Sequence, residues 1–181
     1  MRLRSDLLAG TALACVIAAL GASGCAGKTA PASTSPGRSR GGDFRAISVR
    51  GVTGQTAPLS AVLERRPTLV SFWAPWCEPC LKEQPELERL SRAAQACGGA
   101  VVGVAVGEAP DGIAAFARQK GLTFPQYTDE NFALADAIGQ RRIPATMVFD
   151  DAQRVVFTGE ALDAKAIGAL RAVLARPCPM P

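Results

Sequence analysis

The amino-acid sequence predicts an α/β domain, a mixed central sheet with helices on both faces. Three observations carry the prediction. Two continuous apolar, β-branched runs, TLVSFWA at 68–74 and AVVGVAV at 100–106, have the length of strands buried on both faces, and each is followed by a helical segment. Two shorter runs, at 145–150 and 154–159, flank Asp150-Asp151-Ala152-Gln153 and read as a hairpin. Asp163 then caps a last helix that extends to about Arg176 and stops at Pro177. Strands that alternate with helices and finish in a hairpin and a helix describe a sheet covered on two sides.

From the N-terminus, residues 1–24 have the form of a secretory signal: Arg2 and Arg4, an apolar stretch from Leu7 to Leu20, then small residues. The stretch is shorter than the roughly 20 residues that a helix needs to cross a bilayer. Ala22-Ser23-Gly24-Cys25 is similar to a bacterial lipobox, in which the chain is cut before a cysteine that carries the lipid, although Ala22 stands where Leu is usual. Cys25 is therefore expected to be acylated and to hold the protein on a membrane surface without a transmembrane helix. The alternative is a plain secretory cleavage that leaves Cys25 free. Residues 25–43 are rich in Ala, Pro, Ser, Thr and Gly and cannot offset their own ordering entropy, so a flexible tether is expected there.

The domain proper is expected over 44–178. Partial alternation at 44–52 suggests a first strand, and 59–66 has helical character between Pro58 and Pro67. A long helix is expected from Cys77 to Cys97, kinked at Pro85. Asp111 is placed to cap a helix that runs to Lys120 and ends at Gly121, and 131–138 reads as a short helix.

The net charge of +4 invites a nucleic-acid reading, but its position argues against one. Acidic and basic residues are equal in number from Ala46 onward, and the surplus lies at Arg2, Arg4, Lys28, Arg38, Arg40 and Arg45. A basic face that tracks phosphates is not evident, and no nucleic-acid partner is expected. The chain has no His, which removes imidazole acid–base catalysis and every zinc pattern that needs imidazole.

The chemistry concentrates in Trp73-Ala74-Pro75-Trp76-Cys77-Glu78-Pro79-Cys80, a C-x-x-C where a buried strand meets a helix. Two intervening residues place both sulfurs within one helical turn, close enough to form and break a disulfide. At the helix start, unpaired N–H groups and the macrodipole favour the Cys77 thiolate, the attacking species, while Cys80 is the buried resolving thiol. A metal site would need further ligands, and only the isolated Cys97 and Cys178 remain in the mature domain; no metal is expected. A purely structural disulfide closing so short a loop would stabilise little.

WAPWCEPC, followed by Ile143-Pro144-Ala145-Thr146, resembles the thioredoxin superfamily, specifically the TlpA/ResA group of exported, membrane-anchored thioredoxin-like proteins. The resemblance covers 44–176 and implies a thioredoxin-like fold, with the segment 111–138 similar to the group's central helical insert. It implies that Pro144 is a cis-proline facing the dithiol, the one kind of peptide for which cis is cheap, and that Ile143 offers backbone groups to a substrate strand. Trp76 should border the substrate groove, and both Trp73 and Trp76 should pack around the site. The buried Asp of thioredoxins is replaced by Ser71, whereas Glu83, one turn beyond Cys80, matches a functional glutamate of the group and is expected to take the Cys80 proton. The alternative is a solvated helix residue like Glu86 or Glu88. In the fold so implied, the dithiol helix and the last helix share a face and run away from the site, so Cys97 and Cys178 are expected to form a second disulfide at the far pole.

The function implied is reduction of disulfides or C-x-x-C pairs in client proteins, such as apocytochromes c or copper-site assembly proteins, with electrons from a membrane thiol protein. No cofactor beyond the Cys77–Cys80 disulfide is implied, and a monomer is expected. An acidic Glu78 inside the loop disfavours the thiolate and fits a reductant. Arg141 and Arg142 are read as solvated, or as contacts for an acidic partner. Two alternatives remain: an oxidant that installs disulfides in exported proteins, and a non-catalytic copper-handling protein.

Overall fold

The computed structural model describes residues 43–174 and 178–179. The expected signal at 1–24, Cys25 and the expected tether up to residue 42 lie outside the described residues, as does the stretch 175–177, where the last helix is expected to end.

The segment 44–52 is not one strand. The Asp43 carboxylate accepts the Arg45 N–H at 3.1 Å and starts a 3₁₀ turn at Phe44–Ala46, so β1 is confined to Ser48–Gly51. β2, Thr56–Pro58, folds back antiparallel on β1 with Val49 opposite Ala57. α1 spans only Leu59–Val62, because Glu64 and Arg65 take left-handed backbone, φ 47° and 52°, from which a right-handed helix cannot continue.

The two apolar runs form β3, Thr68–Trp73, and β4, Ala100–Val106, as parallel neighbours buried throughout. The crossover between them is α2, Glu78–Ala96, which runs uninterrupted through Pro85. α3, Pro110–Lys120, starts on its proline. Asp111 therefore lies in its first turn and is not its cap, a position held by Ala109; Gly121 ends the helix at φ 67°. β5, Gln126–Asp129, and α4, Ala133–Ala137, follow. The hairpin is β6, Ala145–Phe149, with β7, Val155–Gly159, and α5 is Ala164–Val173.

The strand order β2-β1-β5-β4-β3-β6-β7 is that of one mixed sheet. The segment 111–138, expected as helical, therefore contributes a strand as well: β5 lies parallel to β4 and antiparallel to β1. Pro125 and the polar Gln126 and Thr128 hid this strand, yet both polar residues are buried in it.

Period-two alternation distributes β3 between two layers. Val70 and Phe72 join Leu59, Leu63 and Leu134 on the α1 and α4 face. Leu69 joins Leu87, Leu90, Ala94 and Leu170 on the face covered by α2 and α5. Cys97, at the C-cap of α2, is joined to Cys178 with Cα atoms 6.0 Å apart, and Cys178 is buried in that second cluster.

Asp163 caps α5, its carboxylate accepting the N–H groups of Lys165 and Ala166 at 2.9 and 2.8 Å. Asp163→Ala should cost about 1 kcal/mol, read as a lower urea midpoint at unchanged slope.

Candidate active site

The site is assembled where β3 ends and α2 begins. Ala74 closes the buried strand and its carbonyl accepts the Cys77 N–H at 3.1 Å, which turns the chain into the helix. Cys77 is the N-cap of α2, with extended backbone, and its Sγ accepts the Cys80 N–H at 3.3 Å. A sulfur thus occupies the capping position normally filled by an oxygen, against the positive end of the helix dipole.

Cys77 and Cys80 are joined as a disulfide, Cα atoms 5.3 Å apart. Their exposures are 5% and 1%, so Cys77 is less open than a helix start suggests. In the oxidised pair its sulfur is turned onto Cys80, within an apolar cluster of Trp73, Ala74, Ala105 and Ile113.

Glu78 is exposed and bonded to Lys82 at 2.8 Å one turn on, so the acidic group inside the loop carries its own counter-charge. The unfavourable field that Glu78 alone would exert on a Cys77 thiolate is correspondingly reduced.

The two tryptophans part company. Trp73 is fully buried, its Nε1–H donating to Gln126 Oε1 at 3.1 Å and its ring tilted against Phe116 at 5.4 Å. Gln126 reaches it across Gly103, where any Cβ would meet the amide. Trp76, by contrast, is 68% exposed and stands beside the site without being buried in it.

The Ile143–Pro144 peptide is cis. It precedes β6, which is antiparallel to β3, and Ile143 packs on the cluster that holds both cysteines. Trp76, Phe132, Gln140, Arg141, Arg142 and Ile143 together line a groove of about 110 Å³ beside this junction.

Glu83 stands one turn beyond Cys80, on the same side of α2. It differs from Glu86 and Glu88, which pair with Arg89 and Arg92. Its Oε1 accepts the Leu162 N–H at 3.0 Å and its Oε2 is buried with no hydrogen-bond partner among the described residues. Burial pushes this carboxyl above the ordinary range, against the Leu162 N–H, which favours the ionised form. Ser71 is buried opposite Thr146, whose Oγ1 is likewise unpartnered, so β3 and β6 supply hydroxyls but no carboxylate at that register.

Sequence reasoning missed Phe132 and Asp129. Asp129 is buried at the end of β5 and caps α4 from a distance, its oxygens accepting the N–H groups of Leu134 and Ala135 at 3.1 and 2.8 Å. The helix consequently starts at Ala133, and Phe132 is left in the left-handed region, φ 58°. Among the described residues no cluster of His, Cys, Asp and Glu could hold a metal ion, and no helix is long and apolar enough to cross a membrane.

The Redoxin family model matches residues 26–170. The thiol-disulfide oxidoreductase ResA of Geobacillus thermodenitrificans is 34% identical over 92 residues, 50% of this chain and 53% of that protein. The chain thus spans about half the length of that relative. A secreted Mycobacterium tuberculosis disulfide oxidoreductase shares the fold, with a TM-score of 0.61 at 19% identity over 71% of this chain and 97% of that one. The exposed lipoprotein thioredoxin of Streptococcus pneumoniae superposes with a TM-score of 0.57 at 25% identity, covering 70% and 98% respectively. The chain belongs to the Redoxin family, and its domain has the thioredoxin-like fold.

Proposed function

We propose that this protein is an extracytoplasmic thiol-disulfide oxidoreductase, held on a bacterial membrane by a lipid on Cys25, that reduces disulfides in client proteins. The observation that carries the reading is the Cys77–Cys80 disulfide at the N-terminus of α2, beside the cis peptide before Pro144. The kinship with ResA and with a lipoprotein thioredoxin supports the activity and the anchor.

In the reduced protein the Cys77 thiolate attacks one sulfur of the client disulfide. A mixed disulfide forms and a client thiolate leaves. Cys80 then loses its proton and attacks Cys77 Sγ; the Cys77–Cys80 disulfide closes and the second client thiolate departs, so two electrons pass to the client. A membrane dithiol protein reverses the closure. Pro144 and the Ile143 backbone hold the client strand, and Trp76 borders its path. Glu83 takes the proton of Cys80, because its half-buried carboxyl has a raised pKa and a free oxygen, and Ser71 has no basic group to offer. Apocytochromes c before haem attachment, or copper-site assembly proteins, fit as clients.

An oxidant is the second reading, and the Glu78–Lys82 ion pair favours it, since it offsets the charge that would otherwise disfavour the reduced form. The direct test supplies the reduced chain with a peptide that carries an internal C-x-x-C disulfide. One peptide dithiol should appear for each Cys77–Cys80 disulfide formed, and no transfer at all would dismiss the activity.

Glu83→Gln should keep the fold and slow resolution by about 10²-fold, with loss of the ionisation on the acid limb of the pH–rate profile. Stability gives an independent check. A carboxyl whose folded pKa is raised contributes fully below the ordinary carboxylate value and loses that contribution as the pH rises through the raised one. The variant's stability should therefore decline less than the parent's across that window. An unchanged rate and profile would make Glu83 a helix residue without a part in proton transfer.

A further inference from the structure

The groove beside the dithiol has a wall that the reaction as described does not use. Its two large exposed aromatics are Trp76 and Phe132, the latter 46% exposed, and its rim carries Arg141 and Arg142. Phe132 is held outward by two features. Its backbone is left-handed, a conformation costly for a bulky residue, which the Asp129 cap on Leu134 and Ala135 keeps in place. Its ring lies over Gly107, itself at φ 70°, where a Cβ would collide with the ring edge. A strained backbone and a glycine cradle hold an apolar ring at the rim of the site, where nearly half of it stays exposed in the free protein.

The charged residues that line the groove itself are both arginines. Arg141 is engaged with Asp136 at 3.2 Å, whereas Arg142 makes no ion pair among the described residues. Glu160 lines the neighbouring hollow with both arginines, yet forms no ion pair with either.

We propose that Phe132 and Arg142 form a specificity subsite for the client: Phe132 receives an apolar side chain next to the attacked cysteine, and Arg142 receives an acidic side chain beyond it. The inference rests on the oxidoreductase reading and names the class of client, an extended segment with an apolar residue and a carboxylate flanking its disulfide. Charge complementarity selects this occupant. A basic segment would meet the Arg142 guanidinium, and a wholly polar one would leave Trp76 and Phe132 uncovered. The wall comes from the segment between β4 and β6, so the same stretch that adds a strand to the sheet also shapes what the dithiol can reach.

The test uses the full chain in reduced form and two synthetic peptides. Both carry an internal C-x-x-C disulfide flanked by Leu; one continues with two Asp residues, the other with two Lys. The ratio of their second-order rate constants reads recognition independently of the dithiol's own reactivity. The acidic peptide should react about fivefold faster at low salt, converging with the other as salt is raised. Arg142→Glu should remove or invert that ratio. Phe132→Asn, whose side chain tolerates left-handed backbone, should slow both peptides by about tenfold and leave their ratio unchanged. Equal rates for the two peptides, a ratio that Arg142→Glu does not move, or an undiminished rate in Phe132→Asn would each overturn the inference while leaving the activity intact. Failure to reduce either peptide would instead overturn the oxidoreductase reading and the inference with it.

Discussion

Cys80→Ala is expected to convert the protein into a trap for its own clients. With Cys77 intact the first attack still occurs, and the mixed disulfide then has no internal thiol to resolve it. A covalent adduct through Cys77 should accumulate on non-reducing gels and dissolve with dithiothreitol. Cys77→Ala should do the opposite, abolishing adducts and lowering exchange by at least about a thousandfold, because the thiol at the helix N-cap is the one whose thiolate the dipole favours. The asymmetry follows from position. Cys77 is the N-cap of α2 and 5% exposed, whereas Cys80 lies inside the first turn and is 1% exposed. Adducts of equal yield in the two variants would contradict the assignment of attacking and resolving roles.

Cutting the second disulfide should produce the largest loss of stability. Cys97 and Cys178 close a loop with a sequence separation of 81, tying the end of α2 to the chain beyond α5. Releasing that loop in the unfolded state should cost about 4 kcal/mol on the chain-entropy account. The double variant Cys97→Ser, Cys178→Ser should show it as a reduced urea midpoint. Exchange at Cys77–Cys80 should survive under native conditions, since that pair sits at the opposite end of α2. A midpoint within experimental scatter of the parent would mean that the bridge constrains little.

Much of this was legible in the sequence for definite physical reasons. The runs at 68–74 and 100–106 are apolar at every position because β3 and β4 are covered on both faces, and such a pattern has one reading at strand length. Asp163 and Gly121 marked their helix ends through local chemistry alone. What stayed hidden depended on tertiary partners. β5 is polar because Gln126 serves the buried Trp73, and the one local clue was Gly103, a glycine inside a strand, over which that amide lies. α1 is short and Phe132 left-handed through backbone choices at non-glycine residues, for which the sequence carries no residue-type signal. Within the site, C-x-x-C and the proline were readable as motifs. The ion pair of Glu78 with Lys82 was present as an i, i+4 spacing, and it tempers the argument for a reductant that Glu78 alone suggested. The exposure of Trp76 and its place with Phe132 in the lining of one groove depend on tertiary structure.

The central claim is that the Cys77–Cys80 pair donates electrons to its clients, and its reduction potential tests that most directly. Equilibration of the purified chain against glutathione or dithiothreitol buffers should place the couple near the roughly −270 mV of thioredoxin and far from the roughly −120 mV of a strong oxidant. A value above about −150 mV on the same scale would contradict the account and identify the protein as one that installs disulfides.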